Sequence, residues 1–225
     1  MAIDKLPVKK LIEFRRLSKA RKITFTNKLK VGKKSASDGG GGNYWVRSIS
    51  AISNAFKEND NSYITNKIEE VTNLYDLNKS SQTKTMYQRN IDILDKYIDF
   101  DFTQWKPSVS LKFFKKPNSI LEMNGLPVQI LPNHIFSYGE KGNQSVGAIW
   151  FVVWQDGFKS SDLGIYSETL FRYLSSYFSK DYIINPAACI IIDITSMNSI
   201  NYNEISNGKI QSMLDDTMKS VKEHL

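Results

Sequence analysis

Leu131–Trp154, LPNHIFSYGEKGNQSVGAIWFVVW, decides how this chain folds. Two apolar runs flank a polar turn, Gly139–Asn143 (GEKGN). Asn133–Tyr138 before the turn reads as extended, and Val146–Trp154 after it is the most strand-like segment of the sequence. Moving toward the C-terminus, Leu163–Phe178 places Leu163, Leu170, Leu174 and Phe178 on one helical face, with Tyr166, Tyr173 and Tyr177 beside it. Ala187–Ile194 is then a short, uniformly apolar run, as expected of a strand buried on both faces. A strand–helix–strand unit over 146–194 favours at least one parallel pairing with a right-handed crossover. The tail Lys209–His224 predicts a polar helix with Ile210, Met213, Leu214, Met218 and Val221 on one side.

Moving toward the N-terminus, Ile120–Met123 and Leu126–Leu131 read as two strands around a turn at Gly125, and Ser108–Phe114 alternates as another strand. From Tyr44 to Phe100 the period changes to that of helices. Trp45, Ile49, Ile52 and Phe56 recur at three- and four-residue steps, as do Tyr63, Ile64, Ile68, Val71 and Leu74, and then Ile91, Leu94, Tyr97 and Ile98. Breaks at Glu58–Ser62 and Asn78–Thr83 divide this stretch into three helices. The aromatics belong to the core, with base stacking as the alternative for Trp45 and Tyr87. The fold class is mixed α/β (α+β): N-terminal helices, then a mixed central sheet flanked by helices.

Ser35–Asn43, SASDGGGGN, is the strongest breaker and reads as a linker or mobile loop. It divides the chain into a basic segment with its glycine-rich linker, residues 1–42, and a single α/β domain, 43–225. Within that domain, 43–100 is helical and 105–225 holds the sheet. Inside the basic segment, Val8–Leu17 has helical character, while Ile23–Leu29 alternates like a short strand, so the segment can be ordered against the main body.

The net charge of +7 is unevenly placed. Residues 1–34 hold twelve Lys and Arg against Asp4 and Glu13, a net +10 that leaves the other 191 residues at −3. Such asymmetry points to a polyanion, most often nucleic acid, or to an acidic protein partner. The candidate phosphate contacts are Lys9, Lys10, Arg15, Arg16, Lys19, Arg21, Lys22, Lys28, Lys30, Lys33 and Lys34. No run approaches the roughly 20 apolar residues of a membrane span, and the first residues lack the pattern of a secretory signal. The expectation is a cytoplasmic protein without a membrane partner. Its Asn, Lys and Ile usage is that of an AT-rich bacterial or phage genome.

Catalytic signatures are few. Cys189 is the single cysteine, so no intrachain disulfide forms, and in ACIIIDI it reads as a small buried hydrophobe. Two histidines and one cysteine argue against structural zinc. Gly32-Lys33-Lys34-Ser35 lacks the upstream glycine of a phosphate-binding loop, and neither G-x-S-x-G nor H-E-x-x-H occurs.

The order of helix, three strands, helix and strand, with LPN at 131–133 and GAIWF at 147–151, resembles the PD-(D/E)XK, or restriction-endonuclease-like, superfamily. The resemblance covers roughly residues 85–195. It implies a proline-plus-acid pair on one strand and an acid-x-lysine triplet on the next, where magnesium and an activated water would cleave a phosphodiester. Here Asn133 follows Pro132, and Ala148-Ile149-Trp150 stands in place of the triplet. Alternation along a strand sets Ala148 and Trp150 on the face that would carry the acid and the lysine. Each functional group is absent, which implies a degenerate member that has lost cleavage. Glu168 and Arg172, where related nucleases place glutamine and tyrosine, make an i,i+4 ion pair instead. The expected function is non-catalytic binding of nucleic acid without a cofactor. One alternative is a magnesium-dependent nuclease with migrated acids (Glu122, Glu140 or Asp193). The other is a protein-interaction subunit of a larger complex. Asp193 otherwise reads as a capping or solvent-facing aspartate, and His134 as a hydrogen-bonded structural histidine.

Overall fold

A computed structural model describes residues 5–30 and 44–225 of the protein. The expected linker Ser35–Asn43, together with Lys33 and Lys34, lies outside the described residues. In chain order come β1 (Leu6–Pro7), α1 (Val8–Arg16), α2 (Lys19–Lys30), α3 (Val46–Glu58), α4 (Ser62–Leu77), α5 (Ser81–Leu94) and β2 (Lys112–Phe114). These are followed by β3 (Ile120–Met123), β4 (Leu126–Gln129), β5 (His134–Tyr138), β6 (Ser145–Val152), α6 (Ser160–Phe178) and β7 (Ile183–Asp193). The chain ends with β8 (Ser199–Asn201), α7 (Asn203–Ser206) and α8 (Leu214–Glu223). The mixed α/β class expected from the sequence is what the protein adopts.

The strands form two sheets. The larger runs β2-β5-β6-β7-β8, and a smaller one runs β1-β4-β3. β5 pairs antiparallel with both β2 and β6, and β6 and β7 pair in parallel across the α6 crossover. The 120–129 hairpin does not continue the main sheet. It turns on Asn124 and Gly125, both at positive φ, as a tight two-residue loop requires, and β4 takes β1 as a parallel partner.

The main sheet separates two apolar cores, which explains why β6 is apolar at nearly every position. Val146, Ala148, Trp150 and Val152 point into a core shared with α1, α6 and α8, while Ile149, Phe151 and Val153 point into a second core with α3 and α5. The three helices of 46–94 carry the expected inward faces, notably Ile52, Phe56, Ile64 and Leu94.

Two expectations change. Ile23–Leu29 is not a strand but the middle of α2. Its inward positions are Lys22, Phe25, Thr26 and Leu29, a helical spacing that two polar members conceal. The tail helix starts only at Leu214, and β8 and α7 were not foreseen. The N-terminal stretch is ordered against the main body and built into the first core: Leu6, Leu11, Ile12 and Phe14 are fully buried there.

Candidate nucleic-acid interface

The antiparallel register pairs His134 with Ile149 and so sets Asn133 opposite Trp150. The three positions singled out in the sequence therefore do meet, but they line no opening. The Asn133 side-chain oxygen accepts from the Phe151 backbone N–H at 2.8 Å, and its own N–H donates to the Ile149 carbonyl at 2.9 Å. Ala148 is fully buried, and Trp150 packs edge-on against Tyr166 with ring centroids 5.0 Å apart. Apolar side chains fill the face to which the resemblance would assign carboxylates and a lysine.

The three fallback acids stay apart. Glu122 is exposed on β3 in the smaller sheet, and Glu140 is exposed in the turn before β6. Asp193 pairs with Val152 at the far end of β6, so the length of that strand, roughly 23 Å, separates it from the turn that carries Glu140. Asp193 is a turn cap: its carboxylate accepts from the Thr195 N–H at 3.0 Å and the Ser196 hydroxyl at 2.8 Å. Among the described residues, no three His, Cys, Asp or Glu side chains cluster as a metal site would require.

Cys189 is buried, and burial pushes its thiol well above the ordinary range, away from thiolate chemistry. His134 makes a pairing with Ser53 that resembles a catalytic dyad, but its geometry argues against that role. Nε2 lies 2.7 Å from Ser53 Oγ and 2.9 Å from the Ser53 carbonyl oxygen. A carbonyl only accepts, so Nε2 carries the hydrogen and cannot take the serine proton. Burial, the main cause, keeps the His134 pKa below 6.5, and the ring stacks on Phe56. This is a structural histidine.

The basic segment divides into two populations. On α1, Arg16 Nη2 donates to Asp162 at 2.5 Å and to the Gly157 carbonyl at 3.0 Å, and its guanidinium lies 4.0 Å from the Trp154 ring centroid. Arg15 lies 3.5 Å from the same Asp162 carboxylate, Lys10 pairs with Glu13 at 2.6 Å, and the Lys9 ammonium sits over Trp154. Asp162 is buried in the first turn of α6 and also accepts from the Lys159 N–H at 2.9 Å, so the helix N-terminus stabilises its charge as well. These four cations are engaged within the fold. α2 differs: Lys19, Arg21, Lys22, Lys28 and Lys30 occur there with no acid in the helix, and none forms an ion pair with a described acid. Lys19, Arg21 and Lys28 are exposed, and Lys22 lies over the Phe14 ring at 4.9 Å.

No family model, curated protein or solved structure matches the chain. Function must therefore be argued from these side chains alone. Sequence reasoning missed Asp162 as the anion that neutralises α1. A weak signal was present, since an acid in the first turn of a convincing helix has its negative charge stabilised by the helix N-terminus. The Glu168–Arg172 pair forms at 2.7 Å as expected, and Arg172 also grips Asp215 through both terminal nitrogens, tying α6 to α8. The base-stacking alternatives serve structure: Tyr87 is buried beneath Arg47, and Trp45 rests against Tyr44.

Proposed function

We propose that this chain is a non-catalytic nucleic-acid-binding protein whose contact surface is α2, built on an α/β frame that resembles a nuclease core stripped of its catalytic groups. The observation that carries the reading is the set of five cations on α2 without a described acidic partner. A lysine already paired with a carboxylate releases no counterion when it meets a phosphate, whereas an unneutralised one does. The nuclease likeness is supported by element order and by the adjacency of Asn133 and Trp150. The apolar filling at Ala148 supports loss of cleavage.

The test is binding of a labelled oligonucleotide across a salt series. With four or five phosphates neutralised, log K should fall against log salt with a slope of about −4 on duplex DNA. Charge removal at Lys19, Arg21 and Lys28 should flatten that slope, whereas deletion of residues 1–34 would also remove Leu6, Leu11, Ile12 and Phe14 from the core and so confound folding with binding. Absence of binding at low salt sinks the proposal. Cleavage in magnesium or manganese that alanine at Glu122, Glu140 or Asp193 abolishes would replace it with the nuclease alternative. Salt-insensitive capture of an acidic protein, with no affinity for nucleic acid, would replace it with an interaction subunit.

A further inference from the structure

The side chains of α2 are arranged in a way that total charge does not describe. The inward positions are Lys22, Phe25, Thr26 and Leu29. Phe25 meets Phe14 with ring centroids 5.5 Å apart, and the buried Thr26 hydroxyl donates to the His224 carbonyl at 2.7 Å. These contacts fix which face turns outward. At 100° per residue, a ridge of Ala20, Ile23, Thr24 and Asn27 runs along the centre of the exposed face, and all four are exposed. Lys19 and Lys30 lie along one edge of that ridge, and Arg21 and Lys28 along the other. The cations are thus split into two rows with a short, uncharged strip between them.

Resting on the nucleic-acid reading above, we infer that α2 enters the major groove of duplex DNA, its two cation rows reaching the two phosphate backbones and its ridge facing the base edges. The dimensions agree. A 12-residue helix is about 18 Å long and 10–12 Å across with side chains, and the B-form major groove is about 12 Å wide. Small residues on the ridge permit close approach, and Asn27 can donate and accept at once, the pairing that an adenine edge offers. Other polyanions fit less well. The major groove of A-form RNA is too deep and narrow for side chains to read. Single strands are held by aromatic platforms, and the ridge has none. A membrane-binding helix turns its apolar face outward, whereas Phe25 and Leu29 turn inward and, of the large apolar side chains, only Ile23 does not.

The experiment uses the full chain. Affinity is measured for a DNA duplex of about 20 base pairs, two helical turns, for its single strand, for the matching RNA duplex and for phosphatidylserine vesicles, followed by selection from a randomised duplex library. The DNA duplex should bind tightest, and selection should return a site with a fixed adenine. Asn27→Ala should cost roughly tenfold on the selected site with the salt slope unchanged. Arg21→Ala/Lys28→Ala should weaken every duplex and lower the slope by about two. Thermal melting checks that these exposed substitutions leave the fold intact. Equal binding to single and double strands, a selection without preference, an Asn27→Ala protein that discriminates as before, or preference for vesicles would overturn the groove inference. The first three leave the nucleic-acid reading standing, whereas no binding to any nucleic acid at low salt removes both.

Discussion

Helices α1 and α2 are neighbours in sequence, and both are rich in positive charge, yet the fold treats them in opposite ways. α1 carries four cations and one acid, α2 five cations and none. In α1 the cations are absorbed by Asp162, Glu13, Trp154 and the Gly157 carbonyl, and its apolar face is sealed in the core. In α2 the buried side consists of one threonine with two partly buried apolar residues and Lys22 beside it, and the remaining charge faces outward. A cation is available to a partner only where the fold has not already supplied an anion. Of the nine charges that look alike in sequence, four are engaged within the fold and five have no acidic partner among the described residues.

The sharpest way to break this contrast is through burial. Phe14→Ala removes a fully buried ring that contacts Phe25 and His224, and should cost about 3–5 kcal/mol in urea denaturation. Ile23→Ala on α2, where nearly half of the side chain is exposed, should stay within about 0.5 kcal/mol. Similar costs for the two would mean that α2 is as deeply embedded as α1.

Next comes the anion beneath α1. Asp162→Ala leaves two guanidinium groups without their carboxylate and removes the acceptor for the Lys159 N–H, a loss of about 1–3 kcal/mol. The arginines retain partial solvent access, which holds the figure below that of a fully buried pair. Asp162→Asn keeps an acceptor without the charge and should fall between the two. Chemical denaturation that detects no change in Asp162→Ala would refute the assignment of Arg15 and Arg16 to structure. The converse variant, Lys19→Ala/Arg21→Ala/Lys28→Ala, should leave the unfolding midpoint essentially where it is. Alanine is as good a helix former as the residues it replaces, and no described ion pair is lost. The same variant should lose most of its salt-sensitive binding.

How much of this was legible beforehand follows the same division. The main sheet could be read because β6 and β7 are apolar nearly throughout and their crossover helix has a clean period. The neighbourhood of Asn133, Ala148 and Trp150 was suggested only by the family resemblance, which sets those positions on successive strands, while their register depends on the turn between them. α2 could not be read: Ile23, Phe25 and Leu29, with polar residues between, imitate a strand, and the helical spacing of 22, 25, 26 and 29 is hidden behind a lysine and a threonine. The division of the basic residues could not be read either. It depends on Arg16 meeting Asp162, 146 residues away in sequence, a pairing that no local pattern encodes. The two-sheet arrangement was hidden for a similar reason, since β4 finds its parallel partner at Leu6–Pro7.

The smallest expected effect tests whether an α1 cation carries a cost that α2 cations avoid. Lys9 is half-buried over Trp154, and burial, its largest cause, lowers its pKa below 10.5, with Glu13 opposing. Unfolded, Lys9 keeps its proton up to about 10.5; folded, it releases the proton at a lower pH. Between those two values the unfolded chain binds more protons, so stability rises with pH across that window. Below it, the folded state bears the full cost of holding an ammonium in a partly dry site. Lys9→Met should therefore raise neutral-pH stability by a fraction of a kcal/mol, because the lysine is partly solvated and the Trp154 ring returns part of the cost. It should also remove the rise toward alkaline pH. Lys28→Met, on the solvent side of α2, should leave neutral-pH stability unchanged. If Lys9→Met proves clearly destabilising at pH 7, the ammonium is gaining more from Trp154 and Glu13 than it loses to burial, and α1 would hold its charges because they stabilise it rather than despite their cost.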